Sequence, residues 1–154
     1  METSDYCKKL KIFPVECDCD FCRIMCHAPC IGSVEDLEKI IDAGFADRLC
    51  FDDLPSIIDA GDFLKPALKG NEGGRSEWNT SSDEGCTFWK NGKCELHDKN
   101  LKPILGQLSH HTRRVNIHKY AKISKKDWES DRGKALISRW KKLVDYQEPI
   151  AGNN

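Results

Sequence analysis

Residues 17 to 30, CDCDFCRIMCHAPC, hold five of the chain's nine cysteines, and no other stretch restricts the fold so tightly. Crowded thiols of this kind form a disulfide staple, a redox centre, a set of metal ligands or a cluster of small hydrophobes. An odd total leaves at least one thiol unpaired in any disulfide scheme within one chain. A bridge between Cys17 and Cys19, with one residue between them, is strained. The N-terminus, METSDYCKKLKIF, lacks a basic patch followed by an apolar run and a small-residue cleavage site, so it does not read as a secretion signal. The expected location is cytoplasmic. Reducing conditions there keep thiols free, and clustered cysteines bind metal or do redox chemistry. Metal is the preferred reading.

Spacing refines it. Cys22, Cys26 and Cys30 recur at i, i+4 and i+8, which is one face of a helix, yet Pro29 breaks any helix before Cys30. The pattern predicts a helical turn carrying Cys22 and Cys26, with Cys19 and Cys30 reaching in from either side. Further on, GCTFWKNGKCEL places two β-rich runs around Asn91-Gly92, the pair best suited to a type I′ turn. This hairpin carries Cys86 at its entrance and Cys94 on its second arm, with His97 three positions on. Two strands alone are marginal in water, so a metal at the base or helices across one face must hold them. Thiolates bind soft or borderline cations, and four make a structural zinc site or an iron–sulfur site. The donors suffice for one site with spares or for two sites, and spacing does not choose. A two-knuckle zinc ribbon needs paired C-x2-C units, and only Cys19 and Cys22 make one.

The chain around these motifs has 154 residues, enough for one domain with a core. A net charge of −1 with 32% charged residues marks a globular chain rather than a disordered tail. No run approaches the roughly 20 apolar residues of a membrane span. Lys8 to Val15 reads as an extended lead-in kept open by Pro14. Ser33 and Asp36 form a capping box before the stripe Leu37, Ile40 and Ile41, with Gly44 as C-cap. A second short helix is expected over 46–50, another short element over 54–58, a mobile loop over 62–85, and a short helix over 101–108 with Pro103 near its start. Residues 115–120 are ambiguous. Ser124 and Asp127 read as a second capping box opening an amphipathic helix over about 124–146. The expected fold is mainly α with a short β-hairpin, a small irregular α+β metal-binding domain spanning 1–154.

Charge is uneven. Residues 33–62 carry nine acids against Lys39 and Arg48, while Arg113, Arg114, Lys119, Lys122, Lys125 and Lys126 make the C-terminal third basic. These are two solvated faces, or a basic patch for an acidic protein partner. Nucleic acid is not expected, because the four tryptophans read as core or anchoring residues and not as a stacking platform.

Two blocks, Cys19-x2-Cys22-x3-Cys26 with Pro29-Cys30 and SVEDLEKIIDAGFADRL, then GCTFWKNGKCELHDKNLKPILG over 85–106, occur in an order that resembles the bacterial cysteine-cluster family described as zinc- or iron-chelating. The likeness covers roughly residues 17 to 111 and implies metal binding without a reaction. Many members continue basic-Pro-x-x-Cys. Here Lys102-Pro103-Ile104-Leu105 leads to Gly106, so a histidine or a spare N-terminal thiol must complete the count. The candidate ligands are Cys19, Cys22, Cys26, Cys30, Cys86 and Cys94, with Cys17, His97, His110 and His111 as additional candidates. The expected metal ties the N-terminal segment to the hairpin. Adjacent histidines usually point apart, so at most one of His110 and His111 is expected in a given site. Cys50 reads as a buried, inert thiol.

The expected function is zinc binding in a structural or accessory role, with iron or an iron–sulfur cluster as the competing cofactor. The alternatives are an iron–sulfur or thiol redox protein, and a zinc-stabilised adaptor that meets an acidic partner through its basic C-terminal region. No serine–histidine arrangement, phosphate loop or catalytic carboxylate motif stands out.

Overall fold

The structure, a computed structural model, describes residues 1–54, 59–76 and 83–148. Helix α1 (Thr3–Leu10) was not expected: Lys8 to Leu10 belong to it, and only Ile12 to Val15 of the lead-in lie outside any helix or strand. Glu2 and Asp5 cap it reciprocally, and it buries Tyr6, Cys7 and Leu10. The cysteine run folds as foreseen, with α2 (Asp20–Ile24) continuing into a 3-10 turn over Met25–His27 and Cys19 as N-cap.

Helix α3 (Val34–Ile40) opens on the Ser33 box: the Ser33 hydroxyl accepts from Asp36 N at 3.0 Å and the Asp36 carboxylate accepts from Ser33 N at 2.9 Å. It runs into a wider turn over Ile41–Phe45, where Gly44 takes φ 96° and supplies the left-handed stop. Ala46–Arg48 is a 3-10 turn, after which Leu49–Asp52 forms strand β1, so the helix expected over 46–50 is replaced by turn and strand. The element expected over 54–58 falls largely outside the described residues.

The 62–85 segment, read as a loop, contains strand β2 (Phe63–Pro66), antiparallel to β1 with Phe51 opposite Leu64. Phe63, Leu64 and Ala67 are buried. The few apolar residues here, Phe63, Leu64, Ala67 and Leu68, follow no clean period amid glycine and charge, and it is the partner strand that makes the segment extended. Residues 77–82 of that loop lie outside the description. Strands β3 (Trp89–Lys90) and β4 (Lys93–Cys94) make the foreseen hairpin. Asn91 at φ 52° and Gly92 at φ 75° both take the positive φ that a type I′ turn requires.

Helices α4 (Glu95–Asp98), α5 (Ile104–Leu108), α6 (Ile117–Trp128) and α7 (Asp131–Leu143) complete the chain. Pro103 caps α5, and Asn116 caps α6 by accepting from Lys119 N at 3.1 Å. The single helix expected over 124–146 is therefore two, broken at Glu129-Ser130. Ser124 and Asp127 lie inside α6, both buried, and the N-cap of α7 is Ser130, whose hydroxyl accepts from Gly133 N at 3.1 Å. Asp127 is occupied by tertiary partners: it accepts from Tyr6 Oη at 2.7 Å and Val34 N at 3.0 Å. The motif matched in spacing, and the fold used its carboxylate elsewhere.

One core packs α3 and α7 against the β1–β2 pair and Phe88, with Trp128 and Trp140 at its centre. Their indole N–H groups donate to Gly32 O at 3.2 Å and Ala46 O at 2.7 Å. A smaller core joins α1, α5 and α6 through Tyr6, Leu10, Ile104, Leu108 and Tyr120. The acidic and basic segments meet in part within the molecule: Glu38 pairs with Arg132, Asp42 with Arg139 at 2.9 Å and Asp59 with Lys125 at 2.5 Å. Among the described residues no helix is long and apolar enough to cross a membrane.

The α6–α7 corner makes its own prediction. A methyl group on Gly133 would lie 2.4 Å from the Trp128 carbonyl oxygen, a backbone atom that cannot swing aside. Gly133→Ala is expected to cost about 2 kcal/mol despite alanine's better helix propensity, read as a lower urea midpoint. A midpoint shifted upward, as at an open helical glycine, would show that the corner is not so close.

Candidate metal centre

The lead-in to the cysteine run is pinned beside the end of α5 and the turn that follows it. Val15 N donates to Gln107 O at 3.4 Å. The Arg113 guanidinium donates to Leu108 O at 2.9 Å and to Phe13 O at 2.5 Å. Residues 110–113 turn back on themselves, with Arg113 N donating to His110 O at 3.3 Å. Both imidazoles consequently stand on one side, ring centroids 4.2 Å apart, facing the start of α2.

The result is a compact donor group. One ligand atom each from Cys17, Cys22, His110 and His111 lies within 4.8 Å of all the others. His111 Nδ1 is 3.2 Å from Cys22 Sγ, 3.6 Å from Cys19 Sγ and 3.8 Å from Cys17 Sγ. Three thiols and two imidazoles at these separations are compatible with metal binding. Both adjacent histidines, expected to point apart, stand in this donor group, their ring planes 33° from parallel. His110 Nδ1 accepts from Thr112 N at 3.1 Å and lies 2.6 Å from Thr112 Oγ1, which fixes the orientation of the ring.

The backbone prepares the thiols unequally. Cys19 Sγ accepts from Cys22 N at 3.4 Å, and this bond holds its thiol below the ordinary thiol range. Burial pushes the Cys22 thiol up to about 11, against a backbone hydrogen bond from His111 that favours its thiolate.

The other candidates are placed elsewhere. Cys26, buried in the 3-10 turn, lines a cleft with Cys94 and Lys102, and the Cys30 thiol donates to Ala28 O at 3.9 Å. Cys86 is buried beneath the hairpin, where burial pushes its thiol up to about 11. Its N–H donates to His27 O at 2.8 Å, and the His27 ring meets Trp89 edge-on at 5.7 Å. Hairpin and cysteine run are therefore joined by backbone and aromatic contact. The compact donor group instead joins the run to the His110-His111 turn. His97 lines the adjoining cleft without entering that group. Gly106 stands where the resembled family carries a further cysteine, and a Cβ there would lie 2.9 Å from Cys30 Sγ. Cys50 is buried in β1, its thiol pushed up to about 12 by burial. All nine cysteines are free thiols.

Sequence reasoning counted Arg113 only as surface charge and did not single out Thr112 or the Lys102 side chain. An arginine next to a histidine pair carries no local signal of what its guanidinium will clamp. Comparison with protein-family models, with curated proteins and with solved structures found no match. The likeness to the cysteine-cluster family thus rests on the two sequence blocks alone.

Proposed function

We propose that this protein is a zinc-binding cysteine-cluster protein of the zinc- or iron-chelating kind, in which Cys17, Cys22, His110 and His111 hold one ion and Cys19 is a fifth donor beside them. The observation that carries this reading is the mutual approach of four ligand atoms within 4.8 Å from segments about 90 residues apart in sequence. A mixed set of thiolates and imidazoles matches a tetrahedral structural zinc site, and most iron–sulfur clusters take thiolates throughout. An ion held by such distant ligands contributes folding free energy, which makes the role structural or accessory.

Anaerobically purified protein is expected to be colourless and to carry zinc that a chelator removes. Cys22→Ser and His111→Ala are each expected to lower zinc occupancy of this centre by at least about tenfold, while Cys50→Ser leaves it unchanged. A brown preparation with acid-labile sulfide would replace zinc by an iron–sulfur cluster and bring the redox alternative forward. Full occupancy after loss of both Cys22 and His111 would remove the assignment.

A further inference from the structure

Five large apolar side chains stand exposed among the described residues: Phe13, Val15, Phe21, Ile24 and Leu143, each between 44% and 62% open to solvent. Single exposed apolar residues are ordinary on a protein surface, but four of these five fall within residues 13–24. They also share one place in the fold. Val15 lines a cleft that Cys17 and Cys22 border. Phe21 meets the His111 ring edge-on at 6.5 Å, and the Phe13 carbonyl is held by Arg113, two positions beyond that histidine. Phe21 and Ile24 lie three apart on α2 and therefore on one side of it. The segment is held by its own backbone: Val15 N donates to Gln107 O, Phe13 O accepts from the Arg113 guanidinium, and Cys19 caps α2. A lip so held loses little freedom when it is covered.

Carboxylates are set among the apolar residues. Glu16, Asp18 and Asp20 are exposed, and within residues 13–24 only Arg23 opposes these three acids, which leaves a net charge of −2. Arg23 pairs with Asp20 and reaches Asp18 at 3.9 Å, yet the two aspartate side chains remain 95% and 94% exposed. This charge selects the occupant. An anionic lipid surface or a phosphate backbone is repelled. A second copy docked about a two-fold axis would set the same carboxylates near their own counterparts. We propose that the lip formed by Phe13, Val15, Phe21 and Ile24 is a docking surface for another protein, one that presents an apolar anchor flanked by lysine or arginine. The anchor is buried against the lip, and its basic neighbours meet Glu16, Asp18 and Asp20 at the rim, where charge governs encounter and partner choice. Apolar patches rimmed by polar groups mark such contacts. The surface does not depend on a bound ion, because the bonds that hold it are made within the chain.

The probe is a labelled amphipathic helical peptide made only of leucine and lysine, titrated against the full chain at low salt and read by fluorescence anisotropy. Saturable binding is expected, weakened about tenfold or more in Phe21→Ser/Ile24→Ser and about threefold or more in Asp18→Asn/Asp20→Asn, with Leu143→Ser unchanged. A leucine–glutamate peptide of the same length is expected not to bind. Phe21 and Ile24 are more than half exposed, so their replacement leaves the core intact. Amide chemical shifts of the unaltered chain decide the matter without any variant: the leucine–lysine peptide is expected to move residues 13–24 and 110–114. Each measurement is made with zinc and with chelator. Binding in either state that Phe21→Ser/Ile24→Ser weakens supports the surface, whatever becomes of the metal assignment. No binding by the unaltered chain, equal affinity in that double variant, or shifts confined to the acidic residues 33–62 would overturn the proposal. So would a concentration-dependent dimer, or retention on phosphatidylglycerol vesicles, that the same two substitutions abolish, since the lip then belongs to a second copy or to lipid.

Discussion

Adding zinc to the metal-free protein is expected to raise its melting temperature by about 10 °C. In the proposed centre the ligands come from residues 17–22 and 110–111, a separation at which the unfolded chain holds no preformed site, so binding free energy becomes folding free energy. At free zinc about 1,000 times the dissociation constant, one site adds about 4 kcal/mol. A chain of about 150 residues gains roughly 2–4 °C for each kcal/mol. The shift is expected to vanish on chelation, to shrink in Cys22→Ser/His111→Ala, and to persist in Cys50→Ser. It is also expected to diminish as pH falls, because the cation must displace protons from the thiols and from any protonated imidazole. Differential scanning calorimetry with and without stoichiometric zinc checks this. An unchanged melting temperature in protein that demonstrably carries zinc would contradict the placement of the ligands across the fold.

Asp127→Ala is expected to lower stability by about 4 kcal/mol. The carboxylate lies in the interior, with its side chain at 0% exposure. It accepts from Tyr6 Oη of α1 and from Val34 N at the start of α3. Alanine leaves both donors buried and unpaired, and each orphaned group costs about 1–3 kcal/mol, the more so because the lost acceptor is charged. Tyr6→Phe removes one donor with its acceptor still engaged by Val34 N, so its cost is expected to be about 1 kcal/mol. Urea denaturation of both single variants and the double variant separates the coupling between them. A loss below about 0.5 kcal/mol for Asp127→Ala, the range of an ordinary surface substitution, would show that Asp127 does not tie α1 to α3.

What could be read from the residues alone is uneven in an instructive way. Asn91-Gly92 makes a hairpin wherever two extended arms flank it, because the requirement for positive φ at both turn positions is local. Ser33 and Asp36 cap α3 for the same reason, and the i, i+4 spacing of Cys22 and Cys26 put them on one helical turn beneath Cys19. Signals that needed a partner failed. Ser124 and Asp127 have the spacing of a cap, yet Asp127 is drawn into the core by Tyr6 and Val34. Phe63 and Leu64 become a strand only because β1 lies alongside. Helix α1 escaped notice in a stretch read for its missing secretion signal and its approach to Pro14.

For the site, the sequence by itself determined the donor chemistry: thiols in excess of any sensible disulfide scheme, with histidines at hand to join them. Only the tertiary structure decided how they divide. Cys17 and Cys22 turn toward His110 and His111 because Arg113 reaches across 100 residues of sequence to the carbonyl of Phe13, fixing the lead-in against the histidine turn. The hairpin is held to the cysteine run by the Cys86 N–H on His27 O, which places Cys94 along the same cleft as Cys26. Local backbone preferences depend on residues within a few positions and so are written in the sequence. The meeting of ligands depends on which distant backbone groups find hydrogen-bond partners, and that is settled only when the whole chain packs.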